Sequence, residues 1–127
     1  MPAAELIVSA LLGAVASGRA YIMERPASGP LPAVVADIVS TVPQGTLNQT
    51  AGNNLFQARV QATCYASTHA DLVTTIDAVF AAVHLKSGTY AGHTVPQVIV
   101  DSVFDGGYTE DPKIYFKSVD FLVLFYA

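Results

Sequence analysis

The chain has 127 residues, and ten acidic side chains against six basic ones give a formal net charge of −4. This length suits a single domain over residues 1–127, and the acidic balance argues against sequence-specific nucleic-acid binding, which requires a cationic face. Hydrophobic residues make up 52% of the chain and charged residues only 13%, which excludes disorder. We expect other subunits to cover part of this apolar surface, because obligate interfaces resemble a core cut in half.

The N-terminal segment predicts a helix. Pro2 is tolerated in a first helical turn, and Glu5 suits the positive end of the helix dipole. The apolar residues recur on one face: Ile7, Leu11, Ala14 and Val15. Gly18 is a natural stop, and the apolar run Ala20–Met23 predicts a brief strand. The longest apolar stretch has about 11 residues, short of the ~20 that a membrane span requires, so a soluble protein is expected.

The central part of the chain alternates between loops and strands. Three prolines and a glycine make Pro26–Pro32 a loop, whereas the Val- and Ile-rich segment Ala33–Val42 predicts a strand. Pro43–Asn54 has no charge, two glycines and three asparagines, which is typical of a long polar loop. Leu55–Tyr65 alternates between apolar and polar residues and predicts a half-buried strand.

A second helix is predicted to begin at Thr68, which forms a capping-box-like pair with Asp71. Its predicted apolar stripe consists of Leu72, Ile76, Val79, Phe80 and Val83. Lys86 suits the negative end of the helix dipole, and Gly88 suits the position after the last turn.

Two further strands, Val95–Phe104 and Lys113–Tyr126, complete the predicted elements. An acidic turn that contains Gly106 and Gly107 is expected to join them. The order of helix, short strand, two long strands, helix and two strands indicates an α+β fold. In this fold a mostly antiparallel sheet has two helices packed on one face.

No catalytic, cofactor or metal site is indicated by the motifs. The three histidines, His69, His84 and His93, lack the spacing of local metal ligands. Cys64 is the only cysteine, which excludes an internal disulfide, and its place on the apolar face of a strand favours a core role. One enzyme alternative stays open: loss of Met1 would expose Pro2 as the amine base of a small oligomeric tautomerase. That chemistry needs the proline to begin a strand, whereas the residues after Pro2 have a helical period.

An acidic cluster is the main concentration of charge, and it consists of Asp101, Asp105, Glu110 and Asp111. No lysine or arginine lies between Lys86 and Lys113. Such a cluster is typical of a solvated turn, and the alternative is an acidic patch that docks on a basic partner.

Four segments spread over nearly the whole chain resemble the tail completion, or tail terminator, proteins of long-tailed bacteriophages, a family that includes relatives of the lambda tail terminator. The segments are Gly18–Tyr21, Leu31–Val35, Ala58–Ala66 and Lys117–Val123. The resemblance implies a non-enzymatic virion protein, assembled in the host cytoplasm, that forms a ring, typically of six copies, at the head-proximal end of the tail tube. It implies three partners: further copies of the chain, the tail tube protein and a head-side neck protein.

Within such a ring, the uncharged loop is the first candidate contact with tube or neck, and the acidic region is the second. The arginines are candidates for salt links between subunits, with an ordinary surface role as the alternative. The candidate interface residues are Gly45, Thr46, Leu47, Asn48, Gln49, Arg19, Arg25, Arg59, Asp105, Glu110 and Asp111. A head-side connector or stopper of the same neck is the nearest alternative function.

Overall fold

The computed structural model describes residues 2–22, 30–44, 54–110 and 113–127. The elements in chain order are α1 (Pro2–Leu11), a 3₁₀ turn (Val15–Gly18), β1 (Ala20–Ile22), β2 (Ala33–Gln44), β3 (Leu55–Ala66), α2 (His69–Val83), β4 (Gly88–Tyr90), β5 (His93–Val95), β6 (Gln97–Glu110) and β7 (Lys113–Tyr126). The predicted α+β class is confirmed. No helix within the described ranges is long and apolar enough to cross a membrane.

Five strands form the main sheet in the order β1-β2-β3-β7-β6. All of its strand pairs are antiparallel except β1 with β2, which agrees with the predicted mostly antiparallel sheet. Strands β4 and β5 form a separate two-stranded sheet that the sequence did not predict. At three residues each, they are too short to show a periodicity of burial.

One face of the sheet, here called the inner face, carries the core. Alternate residues of β3 and β7 point into it and are buried: Ala58, Val60, Ala62, Cys64 and Ala66 on β3, and Val119, Phe121, Val123 and Phe125 on β7. Apolar residues of both helices join the same buried cluster, among them Ile7 and Val8 on α1 and Leu72 and Val79 on α2. Both helices therefore pack on one face of the sheet, as predicted.

Helix α2 begins where the sequence places it and ends earlier. The Thr68 Oγ1 atom accepts a hydrogen bond from the backbone N–H of Asp71 at 3.2 Å, which confirms the predicted N-cap. The predicted end near Lys86 and Gly88 is wrong, because the helix stops at Val83. The backbone of Leu85 and Lys86 instead bonds to Val98 on β6, and a strand partner replaces the last helical turn.

The buried stripe of α2 is also rotated from its predicted position. Phe80 is 41% exposed and stacks on His84, with ring centroids 4.5 Å apart. Thr75 is buried instead of Phe80. The Thr75 hydroxyl group donates a hydrogen bond to the carbonyl oxygen of Asp71 at 2.8 Å. A threonine tolerates burial there because the helix backbone satisfies its hydroxyl group.

The predicted turn at Gly106 and Gly107 is wrong, because β6 continues through both residues to Glu110. The pairing register with β7 shifts between Asp105 and Gly107, which marks a β-bulge. A Cβ atom at Gly106 would overlap the ring of Phe116 and lie 2.6 Å from its carbonyl oxygen. The glycine therefore permits close approach of two strands, and the reversal of the chain comes between Glu110 and Lys113.

Candidate interaction surfaces

The face of the sheet opposite the helices, here called the outer face, carries exposed apolar side chains. Val42, Ile99 and Phe104 are 50%, 39% and 51% exposed. In the antiparallel register they lie opposite Gln57, Leu122 and Ser118, which alternate with the buried inner residues. Since α1 and α2 both pack on the inner face, neither helix covers these side chains. The outer face is thus a first candidate interaction surface.

An ionic cluster crosses this outer face. The Arg59 Nη1 atom lies 3.1 Å from Asp101 Oδ2 and 3.6 Å from Asp120 Oδ2. Two carboxylates therefore share one guanidinium group. The other oxygen of Asp120, Oδ1, is buried and has no hydrogen-bond partner among the described residues. Next to this cluster, the hydroxyl groups of Thr63 and Ser118 are hydrogen-bonded at 3.2 Å.

A pocket of about 370 Å³ lies on the inner face, between the start of α2 and the hairpin formed by β6 and β7. Its lining residues are His69, Leu72, Asp105, Gly107, Tyr108, Tyr115, Phe116 and Lys117. The Lys113 ammonium group lies 4.7 Å from the ring centre of Tyr108 and 5.6 Å from that of Tyr115. These distances allow cation–π contacts with both rings.

Two potentially reactive side chains, Asp105 in the pocket and Cys64 in the core, have defined surroundings. Asp105 in the pocket is paired with Lys117 at 2.9 Å. No group of three or more His, Cys, Asp or Glu side chains among the described residues is placed to hold a metal ion. Cys64 is fully buried, and its burial raises the pKa of the thiol to about 12. A thiol with this pKa stays protonated near neutral pH and is a poor nucleophile.

Along each edge strand of the sheet, one part has a backbone partner and the other part has none among the described residues. Strand β1 pairs only with Val34–Ala36, so no described backbone group bonds to the outer side of β2 from Asp37 to Val42. On β6, the residues after α2 cover the first half. Leu85 N–H donates to the Val98 carbonyl at 2.8 Å, Val98 N–H donates to Lys86 at 2.9 Å, and Val100 N–H donates to His84 Nδ1 at 3.2 Å.

The second half of β6, Ser102–Tyr108, has no such backbone partner within the described ranges. Its side chains Val103, Phe104 and Tyr108 are 47%, 51% and 52% exposed. An open apolar strand edge is a ready template for pairing with another chain. It is therefore another candidate interaction surface.

The predicted interface residues are distributed unevenly over these surfaces. The structure places Arg59 on the outer face and Asp105 at the pocket. The Arg19 Nε atom donates to the Pro32 carbonyl at 2.9 Å, an internal bond beside β1. Glu110 is the last residue of β6. Seven predicted residues lie outside the described ranges: Gly45, Thr46, Leu47, Asn48, Gln49, Arg25 and Asp111.

Two acidic residues of the predicted cluster, Asp101 and Asp105, are paired with cations on other strands. Asp101 bonds to Arg59 on β3, and Asp105 bonds to Lys117 on β7. Sequence reasoning missed Asp120, Tyr108 and Tyr115. Tyr108 was missed because the expected turn at Gly106 ended β6 too early. The alternation of β7 was the available signal for Asp120, since it places that residue on the outer face.

The comparisons with known proteins bear on the fold. No protein-family model matches the sequence, and no curated protein shows significant similarity to it. Thirteen chains of solved structures match the fold. One of them is from the virion of a native gene transfer agent particle. It is 12% identical, the match covers 95% of this chain and 85% of that chain, and the TM-score is 0.57. The two chains thus share a fold along almost their whole length.

Proposed function

We propose that this protein is a structural component of a phage-like virion that forms a ring at the head-proximal end of the tail tube. There it terminates tube polymerisation and mediates joining of the head, with a ring of six copies as the expected form. The observation that carries the proposal is the fold shared with a chain of the gene transfer agent virion over 95% of the sequence. The four segments that resemble tail terminators support the same assignment.

The surfaces described above suit an assembly role. A ring subunit needs two different contact regions for its neighbours and further surfaces for the tube and the head. Within the described part of the chain, both edges of the sheet have a stretch without a backbone partner, and neither α1 nor α2 covers the outer face. The tautomerase alternative requires Pro2 to begin a strand, whereas Pro2 begins helix α1, and this favours the assembly role.

Native mass spectrometry of the purified protein, alone and mixed with the tail tube protein of the same gene cluster, tests the proposal. We expect a ring of about six copies, or a monomer that assembles only on tubes. A stable dimer or trimer that ignores tubes would contradict it. Recovery of the protein with filled heads, and never with tails, would instead support a head-side connector.

Deletion of the gene gives a functional test. A terminator stops the growth of the tube, so its loss should leave tails of uncontrolled length, and electron microscopy of the lysate measures this length. Tails of normal length that fail only to join heads would support the joining role and contradict the terminating role.

A further inference from the structure

The two edge stretches that have no backbone partner among the described residues lie at diagonally opposite corners of the sheet. We name Asp37–Val42 the β2 edge and Ser102–Tyr108 the β6 edge. The register places the β2 edge next to β3 and level with the C-terminal part of β7 and the covered half of β6. The β6 edge lies at the other end of the sheet, where β1 covers β2. Counting only partners within the described ranges, each edge thus lacks a partner only where the opposite edge has one.

The strand directions make the two edges complementary. Since β2, β3, β7 and β6 are successively antiparallel, β2 and β6 run in opposite directions. When two copies stand side by side in the same orientation, the β6 edge of one runs antiparallel to the β2 edge of the next. The diagonal placement then requires the second copy to be displaced along the strands. A contact between two different edges is heterologous, the type that generates rings.

The side chains at the two edges fit the same arrangement. Val42 and Phe104 are both on the outer face and about half exposed. Antiparallel pairing brings same-face side chains of neighbouring strands into contact, and aromatic with β-branched residues is a favourable combination. Val42 belongs to the β2 edge and Phe104 belongs to the β6 edge.

Bulges limit how far the two edges pair. The register of β6 shifts at Asp101 and again at Gly106, which leaves Ser102–Asp105 regular. The register of β2 shifts at Val39, and Pro43 after the β2 edge has no N–H to donate. The regular runs are thus Ser40–Val42 and Ser102–Asp105. Two such short runs allow few registers, which favours one defined contact over open-ended aggregation.

We propose that the β6 edge pairs with the β2 edge of a second copy of this chain, so that the sheet continues from one subunit to the next. The closure of such contacts into a ring rests on the proposed function, whereas the contact itself requires only a second copy. An isologous dimer through two β6 edges, or a strand of another protein on that edge, are the competing occupants.

Paired cysteines test the contact directly. The variant Val42→Cys with Phe104→Cys is treated with a short bis-maleimide, while Cys64 stays unreactive because it is fully buried. We expect a ladder of covalent oligomers on a denaturing gel from the double variant and no product from either single variant. The control Leu6→Cys with Phe104→Cys, which pairs the β6 edge with an exposed site on α1, should give no ladder. A dimer from Phe104→Cys alone would overturn the proposal in favour of the isologous contact.

Charged substitutions at the same two positions distinguish a failure of the edge contact from a failure of the proposed ring. Val42→Lys and Phe104→Lys should each shift the native mass to monomer, while Leu6→Lys keeps the wild-type mass, and circular dichroism checks that all three fold. A ring that persists in both edge variants, without a cysteine ladder, would overturn the edge contact and leave the proposed function standing. A wild-type chain that stays monomeric with and without tubes, and gives no ladder, would overturn both.

Discussion

The guanidinium of Arg59 on β3 lies 3.1 Å from the carboxylate of Asp101 on β6, although strand β7 separates the two strands. The register of β6 shifts between Val100 and Ser102, so Asp101 is the extra residue of a bulge. A bulge redirects a side chain relative to the regular pleat, which accounts for a contact across an intervening strand. Together with the Arg59–Asp120 contact at 3.6 Å, the pair links three strands on the outer face.

Arg59→Ala should destabilise the protein by about 1–3 kcal/mol, because it removes the cation beside Asp120, whose side chain is only 14% exposed. Asp101→Asn should cost less than about 1 kcal/mol, since both side chains of the Arg59–Asp101 pair are well exposed, at 39% and 46%. Urea denaturation measures both changes in the free energy of unfolding.

The double variant Arg59→Ala with Asp120→Asn tests whether the unpaired Asp120 carboxylate causes the loss of stability in Arg59→Ala. If an unpaired carboxylate is responsible, removing its charge should recover part of the stability lost in Arg59→Ala. Equal losses in the single and double variants would show that Arg59 stabilises the sheet through packing of its aliphatic stem instead.

Gly106→Ala should destabilise the fold by about 1–3 kcal/mol, because the new methyl group would overlap the Phe116 ring and its carbonyl oxygen. The matched control is Gly13→Ala. There the nearest atoms to an added Cβ are 3.5 and 3.7 Å away, which is ordinary contact. Thermal unfolding followed by circular dichroism should show a lower melting temperature for Gly106→Ala alone. Equal melting temperatures would mean that the bulge relaxes around the methyl group.

Thr68→Ala should cost about 1 kcal/mol, because the hydroxyl that accepts the Asp71 N–H is lost at the start of α2. Thr68→Ser retains this acceptor and should stay within a few tenths of the wild-type free energy of unfolding. Denaturant titration of the two variants makes the comparison. A serine variant as unstable as the alanine variant would point to the lost methyl group.

Cys64 should make the protein less stable at alkaline pH. Burial raises the pKa of its thiol from the ordinary 9.0 to about 12. Between these values the unfolded chain releases the thiol proton while the folded chain retains it, so the stability contribution is complete below about pH 9 and declines as pH rises. Denaturation series near pH 7 and at about pH 10.5 should show a larger alkaline loss for the wild type than for Cys64→Ala. Parallel losses would mean that other groups cause the decline.

Some of the candidate surfaces follow from local patterns and others do not. The alternation of β3 places Arg59 on the outer face from sequence alone. That Arg59 is shared by Asp101 and Asp120 depends on the strand order β3-β7-β6, which brings residues 42 and 61 positions away to one point. The open halves of the edges were equally unpredictable, since they depend on which short segments pair with β2 and β6.

The sequence by itself determined the elements whose signals are local: the alternating strand β3, the cap at Thr68, and the α+β class with both helices on one face. Tertiary structure decided the outcome wherever a local signal conflicts with the packing of neighbouring elements. Phe80 has the helical spacing of a core residue, yet Thr75 is buried in its place because the side of α2 that meets the sheet is set by packing. Gly106 and Gly107 have the composition of a turn, yet β6 runs through both, and Gly106 leaves the space that the Phe116 ring on the neighbouring strand occupies. Periodicity reports which residues can be buried, and the neighbouring elements determine which ones are.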